Sequence, residues 1–519
     1  MPEVTKHTMK QKLLRWGKRL LRIVLWGAGI YGAFCGIENW LANRAYAEHI
    51  EWLKSKNEPL SLQQLAPPAV PDDQNAAYIP ALECFYVRDE ATGKRKWAVQ
   101  DLEKIPSNLP QTQQNELLAW QRVKRGLDVV GRIKKLPDGT MDFAGGLTRS
   151  RREYDRLANR KNHNLPDPFP PGSESPLQAY LSFLGQFESQ IQSLQSMHQR
   201  AGFDWPRPEE DAEVPYLCLS LQKVLKVHGF FALHRRDISA SLADFRLQIG
   251  LASAPPAGVG LLGSMWKSSH WKCCLSSLEN LLGARLLQEQ EWARLAAEFP
   301  RADVVSVLQQ TLREHRIRLQ RRLQSATMWE LLDRGYSCPC GGSPTDVYFF
   351  GPSGWVKRNL IASDLLTQQR IEALDATGPP LLAKFRSIPV PAKVNPHEFL
   401  AARFEEYWTP PRSLLQIVES ADALQLGAVG IALERFRLKS GDYPAQLSLL
   451  VPEFLPQLPR SYFNAMKPMF RKLPNGSFDL WFFGTDGDDD DARSEENSGE
   501  RHFEITDYDL TLSPGAPIP

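Results

Sequence analysis

The chain has 519 residues, 42% of them hydrophobic, with 62 Lys and Arg against 60 Asp and Glu for a net charge of +2. That length and hydrophobic content exclude disorder throughout and predict more than one unit able to bury a core. Beyond the N-terminus the basic residues are interspersed with acids, so there is no basic stripe to suit a nucleic acid.

Residues 1–22 form a basic tail carrying Lys6, Lys10, Lys12, Arg15, Lys18, Arg19 and Arg22. Residues 23–41 follow as a transmembrane anchor. Ile23 to Ile37 alone would span about 23 Å at about 1.5 Å per residue, short of a hydrocarbon core of about 30 Å, so Leu20, Leu21 and Leu41 must join it while Arg22 and Glu38 snorkel. Trp26 and Trp40 suit interfacial belts, whereas Tyr31 falls near the middle. Basic residues stay on the cytoplasmic side, which predicts a single-pass protein with its N-terminus in the cytoplasm and its bulk on the far side of the membrane. The alternative is the h-region of a cleaved signal, with Ala45-Tyr46-Ala47 as an A-x-A site. Arg44 and the continuous helical pattern through Trp52 weigh toward retention, and either reading exports the rest.

Residues 42–66 read as a charged juxtamembrane helix ending at Pro67-Pro68 and Pro71. Residues 67–175 form an irregular exported region with Trp97, Trp120, the turn pairs Asp138-Gly139 and Gly145-Gly146, and a close rich in proline. From 176 to 325 the pattern predicts successive helices, with Leu217, Leu221, Val224, Leu225 and His228 on one face and a turn at Arg235-Arg236-Asp237. Further helices are expected over 261–287, 289–299 and 302–323. Short loops between them predict an α-helical array, similar in architecture to tetratricopeptide-type repeats although that consensus is not met.

Within this array Gly258-Val259-Gly260-Leu261-Leu262-Gly263 matches G-x-G-x-x-G, but no strand precedes it and Pro255-Pro256 breaks the chain. The reading is therefore a helix start, not a nucleotide site. Cys35 lies in the anchor, leaving Cys84, Cys218, Cys273, Cys274, Cys338 and Cys340 as an even set able to pair in an oxidising compartment. Cys338-Pro339-Cys340 has no second pair or close His to complete about four zinc ligands. Cys273 and Cys274 read as helix residues.

Residues 326–395 read as a loop and strand connection containing Gly341-Gly342, Tyr348-Phe349-Phe350 and Gly354-Trp355. From His397 to Lys439 the helical period resumes, with a break near Pro410-Pro411. Gly441 then stops the helix before a Tyr443-Pro444 turn. Phe470 to Leu473 and Phe478 to Phe483 flank Asn475-Gly476 as a hairpin. An acidic loop follows at Gly484-Thr485-Asp486-Gly487-Asp488-Asp489-Asp490-Asp491.

This succession of helix, G-x-Y-P turn, small antiparallel sheet and G-x-D-G loop resembles, over roughly the last ninety residues, the globular head of the major pseudopilins of type II secretion, and a head-like domain is expected at residues 396–519. In that family the membrane helix directly precedes the head; here it lies far upstream. The whole arrangement resembles a group of large membrane-anchored envelope proteins of planctomycete- and verrucomicrobium-type bacteria, which brings no activity with it. The pseudopilin resemblance implies calcium at the acidic loop. Asp486, Asp488 and Asp490 offer hard oxygen ligands at alternate positions, with Asp507 to help complete the shell. It is not an EF-hand, because Asp491 stands at the turn glycine and Asn497 at the bidentate Glu. A solvated acidic loop is the alternative.

The fold class expected is mainly α: a single N-terminal transmembrane helix, an α-helical array, and a small α+β C-terminal domain of a helix plus a short antiparallel sheet. The function expected is that of a membrane-anchored envelope protein serving as a binding or scaffold module for other envelope proteins or cell-surface polymer. The alternatives are an exported hydrolase, for which no G-x-S-x-G or H-E-x-x-H motif is present, and an accessory component of a secretion apparatus.

Overall fold

A computed structural model describes residues 3–65, 70–93, 95–99, 104–130, a few positions between 142 and 152, 175–200, 217–253, 260–301, 303–325, 352–375, 380–381, 411–484 and 510–514. In chain order the elements are α1 (Glu3–Ser55), α2 (Leu62–Leu65), β1 (Tyr86–Arg88), β2 (Arg95–Trp97), α3 (Gln111–Val130), α4 (Pro176–Gly185) and α5 (Glu188–Gln195). Then come α6 (Leu217–His234), α7 (Ile238–Ser253), α8 (Gly260–Ala284), α9 (Glu289–Glu298), α10 (Val304–Ser325), α11 (Gly354–Asp375) and α12 (Pro411–Ser440). The strands β3 (Met469–Lys472), β4 (Phe478–Phe482) and β5 (Leu510–Leu512) close the chain. The protein is mainly helical, with one long apolar N-terminal helix and a small antiparallel sheet near the C-terminus.

The chain divides into two compact units. The first comprises Met1–Leu65, Leu312–Glu372 and Ile388–Pro410; the second comprises Ala66–Thr311, Ala373–Ser387 and Pro411–Pro519. In the first, α1, the second half of α10 and α11 lie side by side. Partners along α1 and just past its end rise together in number with those on α11 (Asn39 with Gly354, His49 with Asp364, Lys56 with Glu372), so these helices run parallel. Partners on α10 and α11 run oppositely, with Arg316 on Gln368 and Gln320 on Asp364.

The helix expected over 42–66 does not run its full length: α1 ends at Ser55 and only the short α2 (Leu62–Leu65) follows. Asn57 takes a left-handed φ of 56°, and the Glu58 amide donates back to the Leu53 carbonyl at 3.0 Å. That is a Schellman-type end, which Asn tolerates better than most residues. A second correction concerns 326–395, read from sequence as a loop and strand connection: residues 354–375 form the helix α11. Its buried face carries Asn359, Ser363, Asp364, Thr367 and Gln368 beside Leu360 and Ile371. A face that polar leaves no apolar 3.6-residue period to detect.

The second unit holds two apolar clusters. One gathers Leu82 and Phe85 from the turns before β1, Leu117 and Trp120 of α3, Tyr180 and Phe183 of α4, and Leu225 and Phe231 of α6. The other joins Phe245 of α7, Leu278 and Leu282 of α8, Trp292 of α9, Val429 and Leu433 of α12, and Phe478, Leu480 and Leu512 of the sheet. Helix α12 and the sheet therefore share a core with the helices before them. Gly427 and Gly430 permit the close approach: a Cβ at 427 would stand 2.8 Å from Phe299 Cζ, and one at 430 would stand 2.7 Å from Leu512 Cδ2.

Local signals account for the boundaries. Ser175 caps α4 by accepting from the Gln178 amide at 3.2 Å, with Pro176 at the first helical position, where its missing N–H costs nothing. The Gln288 amide donates to Glu291 Oε2 at 2.7 Å to open α9. Between α6 and α7, Arg236 has φ 60° and Asp237 Oδ1 accepts from the Ala240 amide at 3.0 Å, so the turn predicted there forms. Strands β3 and β4 pair antiparallel with Lys472 opposite Phe478, and β4 pairs with β5. Gly476, at φ 76°, closes the turn between β3 and β4, which is why Asn-Gly marks it.

Candidate functional site

Among the described residues one helical span, Trp16–Ser55, is long and apolar enough to cross a membrane, and none of its most apolar window is buried inside the protein. Trp16 is 72% exposed, Trp26 74% and Ile23 68%, and Leu20, Val24 and Ile30 are similarly bare. So large an exposed apolar surface on one helix is stable when lipid covers it. Lys18, Arg19 and Arg22 stand exposed at its basic end.

The helix changes environment at Glu38. Arg358 of α11 donates to the Glu38 carboxylate, and the Gly354 amide donates to Asn39 Oδ1 at 2.6 Å. Asn39 thus caps α11 from another segment of the chain, satisfying one of the orphan amides at that helix start. A Cβ on Gly354 would lie 2.8 Å from the Ala42 Cβ and 2.9 Å from the Asn39 Cα, so only glycine allows so close a crossing. Further along, Lys357 donates to Asn43, and His49 Nε2 meets Asp364 Oδ2 at 3.2 Å beneath the stacked Trp52 ring.

A buried polar seam closes the far end. Glu58 accepts from Arg313 Nε at 3.0 Å and Nη2 at 3.2 Å, and from Arg316 Nη2 at 2.6 Å, while Arg316 Nη1 donates to Gln368 Oε1 at 2.9 Å. Burial would raise the Glu58 pKa, but the two guanidinium groups outweigh it and hold the carboxyl below its ordinary value. Asp364 goes the other way. Burial dominates the donors His49 and Gln320, and its pKa is raised. The seam fastens α1 and the turn after it to α10 and α11, and its carboxylates are taken up by Arg313, Arg316, His49 and Gln320.

The second unit carries its own buried polar groups. His228 Nδ1 meets Asp244 Oδ2 at 2.5 Å and Nε2 meets Glu188 Oε2 at 3.4 Å. Burial opposes its protonation, but Asp244 and then Glu188 raise its pKa. With a carboxylate at each nitrogen, the imidazole has none left to activate a hydroxyl, so the arrangement braces α5, α6 and α7. Asp422 accepts from Ser461 Oγ at 2.6 Å and from the Tyr462 amide at 2.8 Å, and burial lifts its pKa to about 7. Tyr443 donates to Glu434, which also receives Arg437.

Cys35, Cys84, Cys273 and Cys274 carry free thiols. Burial pushes the Cys84 thiol up to about 12 and that of Cys274 well above its ordinary value, which makes them inert. Cys338, Cys340 and the Cys218 side chain lie outside the described residues, as do Gly258 and Val259. The proposed calcium ligands Asp486, Asp488, Asp490 and Asp507 also lie outside them. Among the described residues no group of three or more His, Cys, Asp or Glu is arranged to hold a metal. The polar seam was not foreseen from sequence. Glu58 lies 255 positions from Arg313 and 258 from Arg316, and His49 lies 315 from Asp364, so these partners form no local pattern.

No protein-family model, no curated protein and no solved structure matches the chain.

Proposed function

We propose that this protein is a single-pass, membrane-anchored envelope protein whose exported bulk acts as a binding or scaffold module for other envelope proteins or cell-surface polymer. The observation that carries the anchor is the bare apolar surface of α1 between Trp16 and Leu41, with basic residues at its N-terminal end. The basic end lies in the cytoplasm and the helical bulk in the periplasm. Retention is favoured over cleavage because Ala45-Tyr46-Ala47 sits within the continuous helix α1, and Asn43 and His49 on either side are docked on α11. A cut there would sever the helix on which the first unit is built.

The scaffold role is supported by the helical bulk, which offers long faces for partners, and by the buried His49–Asp364 and His228–Asp244 pairs, whose groups bond one another. The likeness of the C-terminal segment to major pseudopilin heads, with calcium at Asp486, Asp488, Asp490 and Asp507, is part of the same proposal. Fusions of a periplasm-dependent phosphatase and of a cytoplasm-dependent fluorescent protein after residue 65 and after residue 519 test the topology. Phosphatase activity with no fluorescence at both sites is the expected result, and fluorescence at either site would refute it. Calcium titration of the full chain with thermal melting tests the acidic loop. A rise in melting temperature that is lost in an Asp486→Ala, Asp488→Ala variant is expected.

A further inference from the structure

The register between α1 and α11 fixes where the second helix begins relative to the apolar span. A hydrocarbon core of about 30 Å takes about 20 residues at about 1.5 Å each, so a span entered just after Arg22 leaves the core near Leu41 and Ala42. Gly354 touches α1 at that level, within van der Waals reach of Asn39 and Ala42. Because α11 runs parallel to α1, its first turn stands at the far edge of the apolar segment and the rest of it climbs away. Glu38 falls within the span, where an unpaired carboxylate is costly. Arg358, one turn into α11, pairs with it, and the two side chains are 16% and 27% exposed. Trp40, 61% exposed at the same level, presents an aromatic ring suited to a headgroup interface.

We propose that the start of α11 with the residue before it, from Ser353 to Arg358, is a second membrane-contacting element, a collar seated on the phospholipid headgroups of the leaflet where α1 emerges. The collar continues the lipid-facing surface of α1. It neutralises Glu38 with Arg358 and caps its own helix with Asn39, so α11 starts at the bilayer surface without orphaned charge. This proposal rests on α1 being a retained membrane anchor.

The test is photo-crosslinking in native membranes of the full chain carrying p-benzoyl-phenylalanine singly at Trp26, Trp40, Ser353 or Leu365, with lipid adducts read by mass spectrometry. Ser353 and Leu365 are both exposed, and Leu365 lies about 16 Å beyond Gly354 along α11 at about 1.5 Å per residue. Phospholipid adducts at 26, 40 and 353, with at least a tenfold lower yield at 365, are expected. Adducts at 26 and 40 without one at 353 would overturn the collar and leave the anchor standing. Equal yields at 353 and 365 would also overturn it, since α11 would then lie along the membrane. No adduct at 26 would overturn the anchor reading itself.

Discussion

Asp422 offers a quantitative test of the packing between α12 and the segment before the sheet. Its carboxylate is fully buried and receives Ser461 Oγ and the Tyr462 amide, yet burial lifts its pKa from the ordinary 3.8 to about 7. A raised folded pKa means the proton is held more tightly in the folded state. The stability it contributes is complete below the unfolded value and is lost as pH rises through about 7. At about 1.36 kcal/mol per pH unit the whole difference is at most about 4 kcal/mol, of which about 2 to 3 kcal/mol falls between pH 5 and pH 8. Asp422→Asn keeps the shape and removes the titration. Hydrogen exchange at the amides of Tyr462 and Phe463, corrected for intrinsic rate, compares variant with wild type in the detergent-solubilised full chain. Relative to wild type, the variant should gain roughly a hundredfold in protection as pH rises from 5 to 8. A ratio that stays flat across that range, or moves the other way, would refute the burial argument.

Glu58→Gln should destabilise the first unit by about 3 to 5 kcal/mol, because Arg316, 1% exposed, would keep a buried charge without its carboxylate. Thermal melting in detergent would read this, and Arg313→Ala, which removes a partly exposed partner, should cost much less. Gly427→Ala should cost about 1 to 3 kcal/mol by pressing a methyl group against Phe299 and Leu278, measured as a lower denaturant midpoint with an unchanged slope. Cys84 and Cys274 should react with a maleimide only on unfolding, as quantitative mass spectrometry of labelled peptides at pH 7 would reveal.

What could be read from sequence depended on whether the signal was local. The apolar run after Arg22 is contiguous, and it emerges as the bare segment of α1. Helices α8 and α9 bury regular apolar stripes through Leu278, Leu282, Trp292 and Leu295, and their expected limits fall within a few residues of those observed. The hairpin was legible because Asn475-Gly476 separates two alternating runs. Helix α11 was not, since its inward face is made of Asn359, Ser363, Asp364 and Gln368, which periodicity arguments assign to solvent. The end of α1 was missed for a related reason. Asn57 adopts a left-handed backbone that composition does not announce, and Glu58 looks like a solvated stalk residue until Arg313 and Arg316, some 255 positions later, meet it. Polar pairs formed across such separations leave no trace in spacing.

The central claim, a retained anchor with the bulk of the chain beyond the membrane, is tested most directly by protease treatment of intact spheroplasts followed by mass spectrometry of the membrane pellet. The account predicts that untreated cells yield the protein with residues before Ala47 still attached and resistant to carbonate extraction. It further predicts that external protease leaves only a membrane-embedded fragment containing Lys18 to Leu41. A mature N-terminus beginning after Ala47, or a bulk domain protected until the membrane is broken, would contradict it.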